Sequence, residues 1–204
     1  MQSHLVDLTL SACSVAKDEV THAIDGLING SQLALVAVRK CEERLDSMDR
    51  EMDEELATVI TQVTPLKARE LLACMKLMLD LERVGDLVAS FSERSAIVRN
   101  RIDMDDIEQL TRMGCLLENM LSTMVKAFAT RNIEQALPCC ALTPRLTACA
   151  TLLWCATQKM LKGSRVRRAC TCWRWPMPWS APAITSRTWL RNSAIWPQAT
   201  PFAT

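Results

Sequence analysis

The sequence predicts an all-α protein built as an up-down helical bundle. Through the first 137 residues, apolar side chains recur at intervals of three and four, the spacing of helices with one buried face. Short breaks at Asn29-Gly30 and Thr64-Pro65 separate the first three runs. Connections this short favour antiparallel neighbours. The sequence has eleven methionines and no tyrosine. This composition agrees with helices rather than sheet, since strands are enriched in aromatic and β-branched residues.

The first two helices are predicted over about 5–27 and from Ser31 to about Val63. An Asn-Gly pair is a common C-terminal stop, and the Ser31 hydroxyl can cap the next helix by accepting a backbone N–H. Each helix has one apolar stripe. The first comprises Leu8, Ala12, Val15, Ala16, Ala23, Ile24 and Leu27, and the second comprises Leu45, Met48, Met52, Leu56, Val59 and Ile60.

The third helix is predicted from Pro65 to about Arg99, because Thr64 is a suitable N-cap and proline is favoured at the first helical position. A fourth helix is expected to begin at Asp103 or Asp105. The inward residues of the third are Leu77, Met78, Leu81, Val84, Leu87, Val88 and Phe91, and those of the fourth are Ile107, Leu110, Met113, Leu117, Met120, Leu121, Met124 and Phe128.

The third helix contains two features that disfavour a helix. Glu82 and Asp86 stand four residues apart, and like charges at that spacing cost a few tenths of a kcal/mol. Gly85 costs roughly 1 kcal/mol relative to alanine in a helix interior. These costs are explained if a cation lies over the carboxylates or if another backbone approaches the glycine. The alternative is a solvated acidic stripe with Arg83 and Lys76 as partners.

A second acidic stripe lies on the predicted second helix, beside its apolar seam. In an antiparallel bundle it would face the acids of the third helix, and facing carboxylates are how bundles hold hard or borderline metal ions. The di-iron enzymes use two Glu-x-x-His motifs, whereas this sequence has that spacing once, at Glu19-Val20-Thr21-His22. Arg44, Arg50 and Lys76 could instead neutralise the stripe without a metal. The stripe consists of Glu42, Asp46, Asp49 and Asp53.

These residues resemble a known family. The run Asp80-Leu81-Glu82-Arg83-Val84-Gly85-Asp86, preceded by Pro65, is similar to the signature of the PhoU family of phosphate-transport regulators. The family has two tandem three-helix bundles, each with one acidic motif on which iron or zinc sits. The resemblance implies a first bundle over 1–100 and the start of a second over 101–137. It also implies metal ligands at Glu82 and Asp86, with Asp49 and Asp53 as further candidates.

The resemblance further implies a function without catalysis. A PhoU-like protein would be a cytoplasmic homodimer that represses phosphate-starvation signalling by contacting a phosphate ABC transporter, through its ATPase subunit, and a sensor histidine kinase. No nucleic acid is expected as a partner, and contact with the membrane would be only through these partners. The alternative is a carboxylate-bridged metal enzyme on a helical bundle, but no catalytic residues are predicted, because no nucleophile–base pair or nucleotide-binding loop occurs. The segment before Leu5 is shorter than the start of the family's first helix, so we expect a truncated N-terminus.

Residues 138–204 differ in kind from the rest of the chain. They carry nine basic residues and no acid, and they hold all six tryptophans and six of the ten cysteines. The family's second acidic motif should lie here, yet the chain reads Met177-Pro178-Trp179-Ser180-Ala181-Pro182. Read from the third base of the Met177 codon, the genetic code permits Ala-Leu-Glu-Arg-Ala-Gly-Asp-His-Ile. We therefore predict that this segment is a frameshifted tail, loosely packed and irregular from about Cys172.

Other interpretations of this tail are disfavoured by its sequence. Its cysteines have neither CxxC spacing nor a downstream histidine, which argues against a zinc site. We do not expect a disulfide framework, because the first residues of the sequence do not have the pattern of a signal peptide. Arginines and prolines interrupt 174–197, so a membrane span is not expected. A nucleic-acid-binding tail fits the composition but lacks a helix or strand pattern to present it.

Overall fold

A computed structural model describes residues 2–130, and these residues are helical with no strand among them. Four helices follow one another, α1 (Gln2–Asn29), α2 (Gln32–Val59), α3 (Pro65–Val98) and α4 (Met104–Thr130), with a short 3₁₀ turn η1 (Arg99–Arg101) before α4. The all-α prediction is confirmed. The predicted tail over 138–204 lies outside the described residues.

The helices run alternately up and down. His4 at the start of α1 contacts Glu51 near the end of α2, and Arg39 early in α2 pairs with Glu93 late in α3. Helix α4 packs chiefly on α1, again antiparallel, because Gly114 lies against Ile24. Helices α1, α2 and α3 each contact the other two and form a three-helix bundle.

The core lies along the common axis of α1, α2 and α3. Most predicted seam residues of α2 and α3 are buried there, while Ile60, Leu87 and Phe91 are only partly buried. Full burial of each large aliphatic side chain contributes roughly 1.5–3 kcal/mol. On α4, Met120, Leu121 and Phe128 are buried as predicted, while the other inward positions are only half-buried. The largest fully buried apolar side chains include Leu5, Leu27, Leu45, Met52, Leu71, Met78, Leu81 and Leu121.

The predicted helix breaks and caps are present. The Ser31 hydroxyl oxygen accepts a hydrogen bond from the Ala34 N–H at 3.2 Å, and Thr64 Oγ1 accepts one from the Lys67 N–H at 3.4 Å, with Pro65 at the first helical position. Gly30 follows α1 with φ +66°, in the left-handed region that favours glycine. Local sequence therefore determines where these helices begin and end.

One predicted boundary is wrong by four residues, since α2 ends at Val59 rather than at Val63. The Ile60 N–H still reaches the Leu56 carbonyl at 3.0 Å, and a tighter turn follows. The segment after Val59 is rich in β-branched residues, which lose side-chain freedom in a helix, and it leads into a proline that disfavours helical geometry in the residue before it. None of the described helices is long and apolar enough to cross a membrane.

Candidate metal centre

The predicted acidic stripes of α2 and α3 face each other in the bundle. The pKa of Glu82 is raised by burial and then by the negative charges of Asp86, Asp49 and Asp46. The pKa of Asp49 is likewise raised by burial and by Asp53 and Asp46. Carboxylates from the two helices are therefore close enough to repel one another, as the antiparallel arrangement predicted.

A third helix contributes an acid that the sequence reasoning missed. Glu19 of α1 is fully buried, and it lies near Glu42 and Asp46 of α2 and Asp86 of α3. Its position was detectable, because Glu19 falls within the apolar stripe of α1, between Ala16 and Ala23. We call the six residues Glu19, Glu42, Asp46, Asp49, Glu82 and Asp86 the acidic cluster.

The Glu19 carboxylate is not compensated within the described part of the chain. Neither of its oxygens has a hydrogen-bond partner there. Burial, followed by the charges of Glu42, Asp86 and Asp46, raises its pKa to about 8 from an ordinary value of 4.5. A buried carboxylate without a partner is costly in its charged form, so Glu19 favours a proton or a cation beside it.

Gly85 makes room for the cluster. A Cβ atom at Gly85 would lie 2.8 Å from Leu45 Cδ1 and 3.1 Å from Glu19 Oε2. The sequence suggested that another backbone approaches the glycine, and the structure shows two side chains there instead. The glycine lets the α3 backbone pack closely on Leu45 and keeps Glu19 inside the bundle.

The basic residues predicted to neutralise the stripes do not pair with these carboxylates. Among residues 2–130, no ion pair within 4.0 Å joins Arg44, Arg50 or Lys76 to the cluster. Arg50 Nε instead donates to the Asp46 backbone carbonyl at 3.1 Å. Arg83 lowers the pKa of Glu82, but its effect is outweighed by burial and three acids. Within residues 2–130, the cluster therefore carries more negative charge than its basic neighbours neutralise.

The donor set fits a hard or borderline cation by its chemistry. Carboxylate oxygens suit such ions, and bundles hold iron with carboxylates of facing helices. The side chains are not drawn together around one point, however, since no three cluster oxygens of the described residues lie within 4.8 Å of one another. Of the four predicted ligands, Glu82, Asp86 and Asp49 share the cluster, whereas Asp53 is exposed at its margin beside Asp49.

Comparison with known proteins agrees with this arrangement. Residues 10–95, which contain the whole acidic cluster, match the model of the PhoU domain. A phosphate-specific transport system accessory protein PhoU homolog of Caulobacter vibrioides is 24% identical over 138 residues, covering 66% of this chain and 60% of the relative. The homologs of Pseudomonas aeruginosa and a Burkholderia species are 25% and 28% identical, covering 67% and 56% of this chain. The matched region spans between 51% and 60% of these three relatives' length.

A solved structure has the same fold. The crystal structure of PhoU from Pseudomonas aeruginosa matches with a TM-score of 0.71 at 18% identity, covering 95% of this chain and 92% of that chain. The domain match over residues 10–95, the homologs and the shared fold agree with one another, and in this part the chain is similar to proteins of the PhoU family.

Proposed function

We propose that this protein is a cytoplasmic regulator of phosphate uptake and of phosphate-starvation signalling. Its similar relatives are named accessory proteins of the phosphate-specific transport system, and the family match supports carrying that role to this chain. The regulator works by binding other proteins, the ATPase subunit of a phosphate ABC transporter and a sensor histidine kinase, and it represses the starvation response when phosphate is plentiful. It acts as a homodimer and catalyses no reaction.

The observation that carries the proposal is the acidic cluster with the buried Glu19, whose carboxylate has no hydrogen-bond partner among residues 2–130. We propose that the cluster holds iron or zinc, since carboxylate oxygens serve as ligands for both metals. Glu82, Asp86 and Asp49 would be the ligands with Asp46 and Glu19 beside them, and Asp53 would contribute from the margin. Bound metal would supply positive charge that stabilises the facing helices and can bridge to a partner's acidic groups.

The proposed role is tested in a Pseudomonas aeruginosa strain that lacks its own PhoU protein and carries a reporter of phosphate-starvation genes. Expression of the full chain should lower reporter output in high phosphate, and the host's PhoU protein serves as the positive control. A variant with Glu82→Gln and Asp86→Asn should repress less than the matched variant with Glu54→Gln and Asp105→Asn. Reporter output that stays high with the chain expressed at the control's level would refute the regulatory role.

Direct binding to the partners is tested separately. The ATPase subunit and the histidine kinase should each be retained by the immobilised full chain, and an unrelated ABC ATPase should not. The metal-enzyme alternative predicts instead that the iron-loaded protein consumes oxygen with multiple turnovers. The proposal predicts no oxygen consumption above that of the double variant.

A further inference from the structure

A second cluster of metal-ligating side chains lies at the other flank of α2. His4 of α1 meets Glu51 and Glu55 of α2, and one ligand atom from each lies within 4.8 Å of the others. We propose that these three residues form a separate binding site for a borderline divalent cation of the zinc class. The proposal is independent of the function proposed above and of the acidic cluster.

The helical spacing and the antiparallel packing together create this triad. Glu51 and Glu55 stand four residues apart, so both project from the same side of α2. They flank the buried seam of Met48, Met52 and Leu56 on the side toward α1, whereas Asp49 and Asp53 flank it on the side toward α3. Because α1 runs antiparallel to α2, its first turn brings His4 to the last turns of α2.

The interatomic distances suit a small ion. His4 Nε2 lies 3.0 Å from Glu51 Oε1 and 3.3 Å from Glu55 Oε1. Ligand atoms about 2.0–2.1 Å from a tetrahedral zinc ion are separated by about 3.3 Å from one another. The two distances from His4 Nε2 are close to that separation, and the two carboxylates each offer an oxygen within 4.8 Å of the other.

A salt bridge alone does not account for the triad as well as a metal does. One imidazole nitrogen carries at most one proton, and here it faces oxygens of two carboxylates. The second oxygen of Glu55 is buried and has no hydrogen-bond partner in the described residues. A divalent ion would balance both carboxylate charges, would take the imidazole lone pair and would offset the cost of that buried oxygen.

The two histidines of the chain make a direct test possible. Untagged full-length protein, stripped of metal with a chelator, is titrated with Zn²⁺ alone while the imidazole resonances are followed by nuclear magnetic resonance. The resonances of His4 should shift and saturate as zinc is added, and the substitution His22→Ala should not alter that shift. The variant Glu55→Gln should raise the zinc concentration needed for the His4 shift by at least about tenfold, while Glu54→Gln on the exposed side of α2 should not.

A further variant separates this site from the acidic cluster. In protein with Glu82→Gln and Asp86→Asn, zinc should still shift the His4 resonances at the same concentration as in the unaltered chain. If zinc leaves the His4 resonances in place, or if Glu55→Gln and Glu54→Gln respond to zinc alike, the triad is an ion pair only and the proposal is wrong. Loss of the His4 shift in the cluster variant, with circular dichroism unchanged, would refute a separate site.

Discussion

At the scale of single residues, Glu19 is the most informative side chain. It is an acid in the buried stripe of α1, without a hydrogen-bond partner in the described residues, beside acids of two other helices. Nothing in the local sequence of α1 compensates its burial. Its cost is tolerable only if the carboxylate takes up a proton or lies beside a cation.

The raised pKa of Glu19 predicts how stability depends on pH in chelator-treated protein. Between its ordinary value of 4.5 and its folded-state value of about 8, the folded protein holds a proton that the unfolded chain has lost. The contribution of Glu19 to the free energy of unfolding should therefore be highest below about pH 4.5. It should fall by on the order of a few kcal/mol as the pH rises toward 8.

Urea unfolding followed by circular dichroism at several pH values measures this effect. Glu19→Gln should flatten most of the decline, because the amide does not titrate, whereas Asp18→Asn on the exposed side of α1 should leave it in place. A decline that is equally steep in Glu19→Gln would show that another group causes it.

Glu82 and Asp86 give the second prediction at this scale. Replacing them by glutamine and asparagine should remove the iron or zinc that we propose for the cluster, because two of its ligands lose their charge. The helix content should be unchanged, and the metal-free protein should gain about 0.2–0.5 kcal/mol, since a like-charged pair at helical spacing is removed. Metal analysis by mass spectrometry checks this, with Glu54→Gln plus Asp105→Asn as control. Equal metal content in both variants would contradict the assignment.

At the scale of the helices, Gly26 and Gly85 show that packing, and not helix propensity alone, determines whether a glycine is favourable inside a helix. Gly26 and Gly85 both lie inside helices, where alanine is favoured by roughly 1 kcal/mol. A Cβ at Gly26 would meet Ala34 Cβ at an ordinary 3.6 Å, but one at Gly85 would lie 2.8 Å from Leu45 Cδ1. Leu45 is buried and has little room to move.

The two glycine-to-alanine variants should therefore change stability in opposite directions. Gly26→Ala should raise the free energy of unfolding by about 0.5–1 kcal/mol. Gly85→Ala should lower it by about 1–2 kcal/mol, because overpacking costs about 1–3 kcal/mol and exceeds the gain in helix propensity. Chemical denaturation of both variants at one pH tests the pair. A stabilised Gly85→Ala would mean that α3 does not pack closely on Leu45.

At the scale of the whole molecule, the chain joins a family-like helical part to a segment of different composition. The described helices end at Thr130, and the PhoU domain match covers residues 10–95. The absence of acids after residue 137 is a property of the sequence itself. The division into 1–100, 101–137 and 138–204 remains a prediction.

The frameshift interpretation predicts a specific result at the level of the gene. Resequencing the DNA across codons 134–142 should reveal a base inserted or lost there. Correcting it should restore a second acidic motif in the place of Met177-Pro178-Trp179, as the alternative frame permits. A confirmed DNA sequence that encodes the tail as printed, with the same tail present in the expressed protein by mass spectrometry, would refute the frameshift.

The sequence by itself determined the helical class, the breaks at Asn29-Gly30 and Thr64-Pro65 and the facing acids of α2 and α3. Those features are set by the local spacing of residues and by capping, which act within a few residues along the chain. Only the tertiary structure decided that Glu19 is the buried member of the acidic cluster and that Leu45 packs against Gly85. It also decided that His4 lies beside Glu51 and Glu55. These contacts depend on how the helices rotate and slide against one another, and packing across the whole bundle determines that geometry.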